Sequence, residues 1–108
     1  MSTALETPVL DTIAAMTVDS LERCGLAPDM LLLTRIAALA ASDAPPISYA
    51  AHIDPALQAG LTAEQLEDVL VAIAPIVGTA RVMTAAGNIA TALGIAIAVA
   101  EAEIETRG

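Results

Sequence analysis

Apolar residues recur along this chain at three- and four-residue intervals, the spacing of one helix face. Val9, Ile13, Met16 and Leu21 share a face in the first such segment, and Asp11, Asp19 and Glu22 take much of the remainder. Thr7 before Pro8 fits an N-cap with proline at the first helical position. Arg23-Cys24-Gly25 should end this helix, with Gly25 free to turn left-handed. A second helix is predicted from Pro28-Asp29 through Leu32, Ile36, Leu39 and Ala40 to about Ser42. Asp43-Ala44-Pro45-Pro46 breaks it, because neither proline donates and each restricts its predecessor. The third runs from Ile47 to about Gly60, where Pro55 must either kink the helix or restart it on an Asp54 cap. The fourth opens on Thr62-Ala63-Glu64-Gln65, a capping box in which Thr62 and Gln65 cover each other's early amides. Leu66, Val69, Leu70, Ile73, Ile76 and Val77 then form a wide apolar stripe, with Pro75 in the last turn and Gly78 closing it. A fifth and longest helix is predicted from Thr79 to about Glu103. The pattern reads as an all-α bundle of five helices in a single domain over residues 1–108.

Composition sharpens this picture. Of the 108 residues 56% are apolar; 25 are alanine and the one aromatic is Tyr49. Alanine is the strongest helix former, and a small-residue core lets helices approach closely. Val82 to Ala100 carries no charge at all. A membrane span needs about 20 mostly apolar residues, but this stretch holds Thr84, Asn88, Thr91 and two glycines and is rich in alanine. Glu101, Glu103 and Glu105 follow it where basic flanks would be expected, so no membrane association is predicted. A helix apolar all round is otherwise buried all round, and a domain of this size buries only about 60–68% of its unfolded surface by itself. Ala86, Ala90, Gly94 and Ala98 make a small-residue ridge suited to helix–helix contact. The expectation is a homo-oligomer in which the fifth helix packs between subunits.

Thirteen acids against four arginines and no lysine give a net charge of −9. Such a chain repels phosphate backbones and lacks aromatics for base stacking, which excludes nucleic acid as a partner. Cys24 is the only cysteine, so no internal disulfide forms and a cytoplasmic setting is the default. Met1–Glu6 has neither a basic region nor an apolar run and does not read as a signal peptide.

His52 is the single histidine and the one side chain suited to proton traffic near neutrality. On an intact helix Ser48 and Tyr49 lie three to four residues before it, so hydroxyl, phenol and imidazole could orient a polar ligand. The bland reading is a partly buried histidine satisfied by Ser48 or a backbone carbonyl. Arg35 interrupts the apolar run from Leu31 to Ala41, and its fork matches a carboxylate; an ion pair with one of the acids is the alternative. Arg81, at the start of a helix, needs a partner against the dipole, such as an acid of another subunit. Cys24 has no second thiol or nearby histidine to make it reactive. Glu64, Glu67 and Asp68 lack a second ligand set, so no metal is expected. Gly-rich phosphate loops and nucleophile elbows are missing as well.

Leu33-Thr34-Arg35-Ile36-Ala37-Ala38-Leu39, then His52, then the run Ala56 to Leu70 with Ala59-Gly60-Leu61-Thr62-Ala63-Glu64 at its centre, resembles the carboxymuconolactone decarboxylase family. Ala74 to Arg81, with Gly78, is similar to the segment that follows in that family, although Ile76 stands for an aromatic and Ala80 for a proline. The likeness spans about 50 of the 108 residues, and its most specific part is a turn and a capping box. It implies the all-α alkylhydroperoxidase D-like fold, assembled as a homotrimer or homohexamer. One branch of that fold performs thiol peroxidase chemistry with C-x-x-C-x-x-x-H and an upstream glutamate. Those cysteine positions fall on Pro45 and Ser48 here and no glutamate lies near Leu31 to Leu33, so dithiol chemistry is not expected. The other branch decarboxylates a carboxylated lactone without a cofactor. The resemblance thus implies a small oligomeric protein, enzyme or binder, for a small carboxylate or lactone. His52 would handle the proton, Arg35 would anchor a carboxylate, and Ser48 and Tyr49 would bind substrate between the second, third and fifth helices. The alternative is a non-catalytic assembly module of the same fold.

Overall fold

The computed structural model describes residues 7–107, with the side chains of 96, 98–100 and 103–107 left aside. Met1–Glu6 and the side chains of Ala98, Glu103 and Glu105 therefore lie outside the described residues. Five helices follow one another: α1 (Pro8–Arg23), α2 (Pro28–Ala41), α3 (Pro46–Gln58), α4 (Ala63–Val77) and α5 (Thr79–Arg107). No strand occurs among the described residues. The first three each open on a proline, whose missing N–H would have had no partner in the first turn anyway.

The helix ends show how local chemistry divides the chain. The capping box of α4 is complete: Gln65 N donates to Thr62 Oγ1 at 3.1 Å, and Thr62 N donates to Gln65 Oε1 at 2.9 Å. After α3, Gly60 takes φ +90°, Gly60 N donates to the Leu57 carbonyl and Leu61 N to that of Ala56. This paired closure uses the carbonyls the last turn leaves open, and glycine reaches it without a Cβ penalty. The same closure ends α2 with Asp43 at φ 54°, its N–H on Ala40 and that of Ala44 on Leu39. Gly78, at φ +95°, turns the chain from α4 into α5.

Two expected ends differ. Thr7 occupies the N-cap position of α1, but its hydroxyl donates to Asp11 Oδ1 instead of accepting a backbone amide. Gly25 has no left-handed φ; α1 ends at Cys24 in an extended conformation that leads straight into the loop. Pro55 neither stops nor restarts α3, which continues to Gln58. Since proline has no N–H, the carbonyl of Ala51 goes without its helical donor.

Helices α2 to α5 build the core. α5 packs chiefly on α3 and also on α4 and α2, while α2 lies against both α3 and α4. Ile36 and Ala40 from α2, Tyr49, Ile53 and Ala56 from α3, Leu66 and Leu70 from α4, and Ala85, Ile89 and Ala92 from α5 meet in one cluster, joined by Leu61. Removing an apolar side chain as buried as Leu66 would cost about 2–5 kcal/mol. Ile76 is the exception on the α4 stripe. It sits in the last turn, past the reach of the core, and is 88% exposed.

α1 has no backbone approach to any other helix and buries none of its residues. α5 is also incompletely covered. It is the longest helix, about 1.5 Å per residue over 29 residues, and so overhangs the shorter helices beside it. Ala86, Ala90 and Gly94 of the small-residue ridge are exposed, as are Met83, Ile95 and Ile97. Among the described residues no helix is long and apolar enough to cross a membrane.

Candidate functional site

α3 separates its residues onto two sides. Tyr49, Ile53 and Ala56, at i, i+4 and i+7, enter the core. Ser48, Ala51, His52 and Pro55 recur on the side away from it, where they form one wall of a cavity of about 660 Å³. Leu31, Leu32 and Arg35 of α2 form a second wall, and Leu10, Ile13, Thr17 and Leu21 of α1 close the third. The space exists because α1 stands off from α2 and α3 instead of packing on them. Its volume is within the range of about 300–1,000 Å³ usual for small-molecule sites.

The half-buried His52 is held by its own helix: Nδ1 lies 2.7 Å from the carbonyl oxygen of Ser48. A carbonyl can only accept, so Nδ1 carries a proton and the neutral ring offers Nε2 as an acceptor. Nε2 has no partner among the described residues.

Arg35 is half-buried and donates from Nη2 to Ser20 Oγ of α1 at 3.1 Å. It makes no ion pair among the described residues; the one pair present joins Arg23 to Asp19 within α1. Arg35 is thus a cation on a mostly apolar cavity with no carboxylate beside it, in a chain with many more acids than bases. Thr17 adds a hydroxyl to the α1 wall and Ser48 one to the α3 wall.

His52, Arg35 and Ser48 are therefore brought together, and Tyr49 is not. Tyr49 is 1% exposed and packs in the core, where burial and, secondarily, the Asp43 carboxylate raise its pKa above the usual tyrosine value. The cavity lies between α1, α2 and α3, not against α5, because the sides of α2 and α3 that carry Arg35 and His52 face away from the core. The residues missed by sequence reasoning are those of α1, above all Ser20. The apolar stripe of α1 was visible, but nothing in it says that it faces a gap and not a core.

Elsewhere, Arg81 donates from Nη1 to the Ala41 carbonyl at 2.7 Å. That carbonyl lies at the negative end of the α2 dipole, and the bond ties the start of α5 to it. The Sγ of the half-buried Cys24 accepts from Leu26 N at 3.5 Å, a contact within its own loop. No group of three or more His, Cys, Asp or Glu among the described residues is placed to hold a metal ion.

Fold and site together define a small all-α protein with a histidine and an arginine facing one apolar cavity. The chain belongs to the Carboxymuconolactone decarboxylase family, whose model matches residues 8–92. That span begins with α1 and ends inside α5, so it contains every residue that lines the cavity. Comparison with curated proteins and with solved structures gives no match.

Proposed function

We propose that the α1–α2–α3 cavity is the working site of a cofactor-independent enzyme or binder for a small carboxylate or lactone-type molecule. The observation that carries this reading is the meeting of His52 and Arg35 on one cavity, neither of them paired with an acid among the described residues. Arg35 holds the carboxylate of the substrate through its fork. In a decarboxylation the C–C bond to that carboxylate breaks and CO2 leaves. The electron pair remains on carbon, spread into the lactone carbonyl, and Nε2 of protonated His52 delivers the proton that replaces CO2. Solvent then reprotonates the ring. The Ser48 carbonyl supports this cycle, because it accepts from Nδ1 in both charge states.

General acid–base groups contribute about 10²–10⁴ in rate. His52→Ala should therefore lose at least about 100-fold in turnover of a carboxylated lactone while keeping its assembly mass. Unchanged turnover in that variant overturns the role of His52.

A second reading is favoured by the uncovered apolar residues of α1 and α5. In it the chain is a non-catalytic assembly module, and His52→Ala lowers the melting temperature or the assembly mass with no ligand lost. Both readings place the chain in a homotrimer or homohexamer. Light scattering in detergent-free buffer should give three or six times the 10.9 kDa of one chain, and a monomer would overturn the assembly.

A further inference from the structure

We infer that the cavity takes a monocarboxylate with a sizeable apolar body, and not a compact dicarboxylate. The inference rests on the reading of this cavity as a carboxylate site and adds the chemistry of the occupant. Among the described residues Arg35 is the one permanent cation on the cavity wall, and no acid of the wall neutralises it. One carboxylate satisfies that charge. With His52 committed to the proton, a second would have to sit against Leu10, Ile13, Leu31 or Ile47, where an unpaired charge taken from water is costly. The volume of about 660 Å³ also exceeds what a four-carbon diacid would fill, whereas an alkyl or aryl body would bury itself against the leucines and isoleucines. Such a body would span the gap that α1 leaves, adding contact between α1 and α2–α3 where, among the described residues, the Arg35–Ser20 bond is the one hydrogen bond joining them.

Isothermal titration of the full chain with sodium octanoate, sodium succinate, sodium acetate and 1-octanol, below micelle-forming concentrations, tests this. Octanoate should saturate, and bind at least about tenfold more tightly than the other three. Arg35→Gln should weaken octanoate by about tenfold or more, the value of a charge-assisted hydrogen bond. Ala51→Phe, which intrudes on the cavity from an exposed helix position and leaves Arg35 in place, should weaken octanoate and leave acetate unchanged. Succinate binding as tightly as octanoate, with dependence on Arg35, would keep the carboxylate site and overturn the apolar-bodied occupant. Binding insensitive to Arg35→Gln, or no binding by any carboxylate, would overturn both.

Discussion

Tyr49 and His52 stand one turn apart on α3, and the core takes one while the cavity takes the other. The buried phenol of Tyr49 has its pKa raised by desolvation and then by Asp43, so the folded state holds the proton more tightly than the unfolded chain. The linkage follows from that direction: the stability is fully present below the usual value near 10 and is lost as pH rises through the folded pKa. The chain has no lysine and no second tyrosine to obscure the effect. Urea midpoints measured upward from about pH 9 should fall, and Tyr49→Phe should flatten that fall. An equal slope in both proteins would place the alkaline loss elsewhere. Residue types alone pointed to His52 and Arg35, because a lone histidine and an arginine in an apolar run are conspicuous. Tyr49 was harder to place: three residues before His52 it is near the same face, and only the docking of α5 on α3 decides which side becomes core.

Elements are where the sequence speaks most clearly. Thr62 and Gln65 satisfy two amides that the start of α4 would otherwise leave open, a purely local device. Thr62→Ala should cost about 1 kcal/mol in chemical denaturation. Thr62→Asn should recover most of that loss, since asparagine caps as well, and a Thr62→Ala midpoint equal to wild type would remove the box from the account. Gly60 and Gly78 were legible as ends for the same reason, since each takes a left-handed φ. Gly25 has the same residue type with a different outcome. The loop from Cys24 to Ala27 leads to a helix already opened by Pro28, so α1 needed no left-handed closure. Pro55 left two outcomes open, and the surroundings of Ile53 and Ala56 in the core are what hold α3 together across it.

The molecule as a whole is more extended than its length requires. Its radius of gyration is 15.7 Å, against about 13 Å for a close-packed chain of this size. α1, with no backbone approach to another helix, and the 29-residue α5 both lengthen it. Ala90 is exposed in the single chain, on the ridge of α5 beside Ala86 and Gly94. A charge there should cost the lone fold within about 0.5 kcal/mol but be excluded from a close helix–helix contact. Ala90→Glu is accordingly expected to keep its helical circular dichroism while its mass by light scattering falls towards that of one chain. Retention of the wild-type mass would place the contact between subunits somewhere other than this ridge. The sequence by itself determined the helices, their order and most of their ends, because spacing, prolines, glycines and a capping box act within a few residues. It also marked the chemically distinctive His52 and Arg35. Where those two side chains meet, and that α1 rather than α5 closes the cavity over them, was decided by the tertiary structure, because a helix with apolar residues on most sides has several faces it can bury and only packing selects among them.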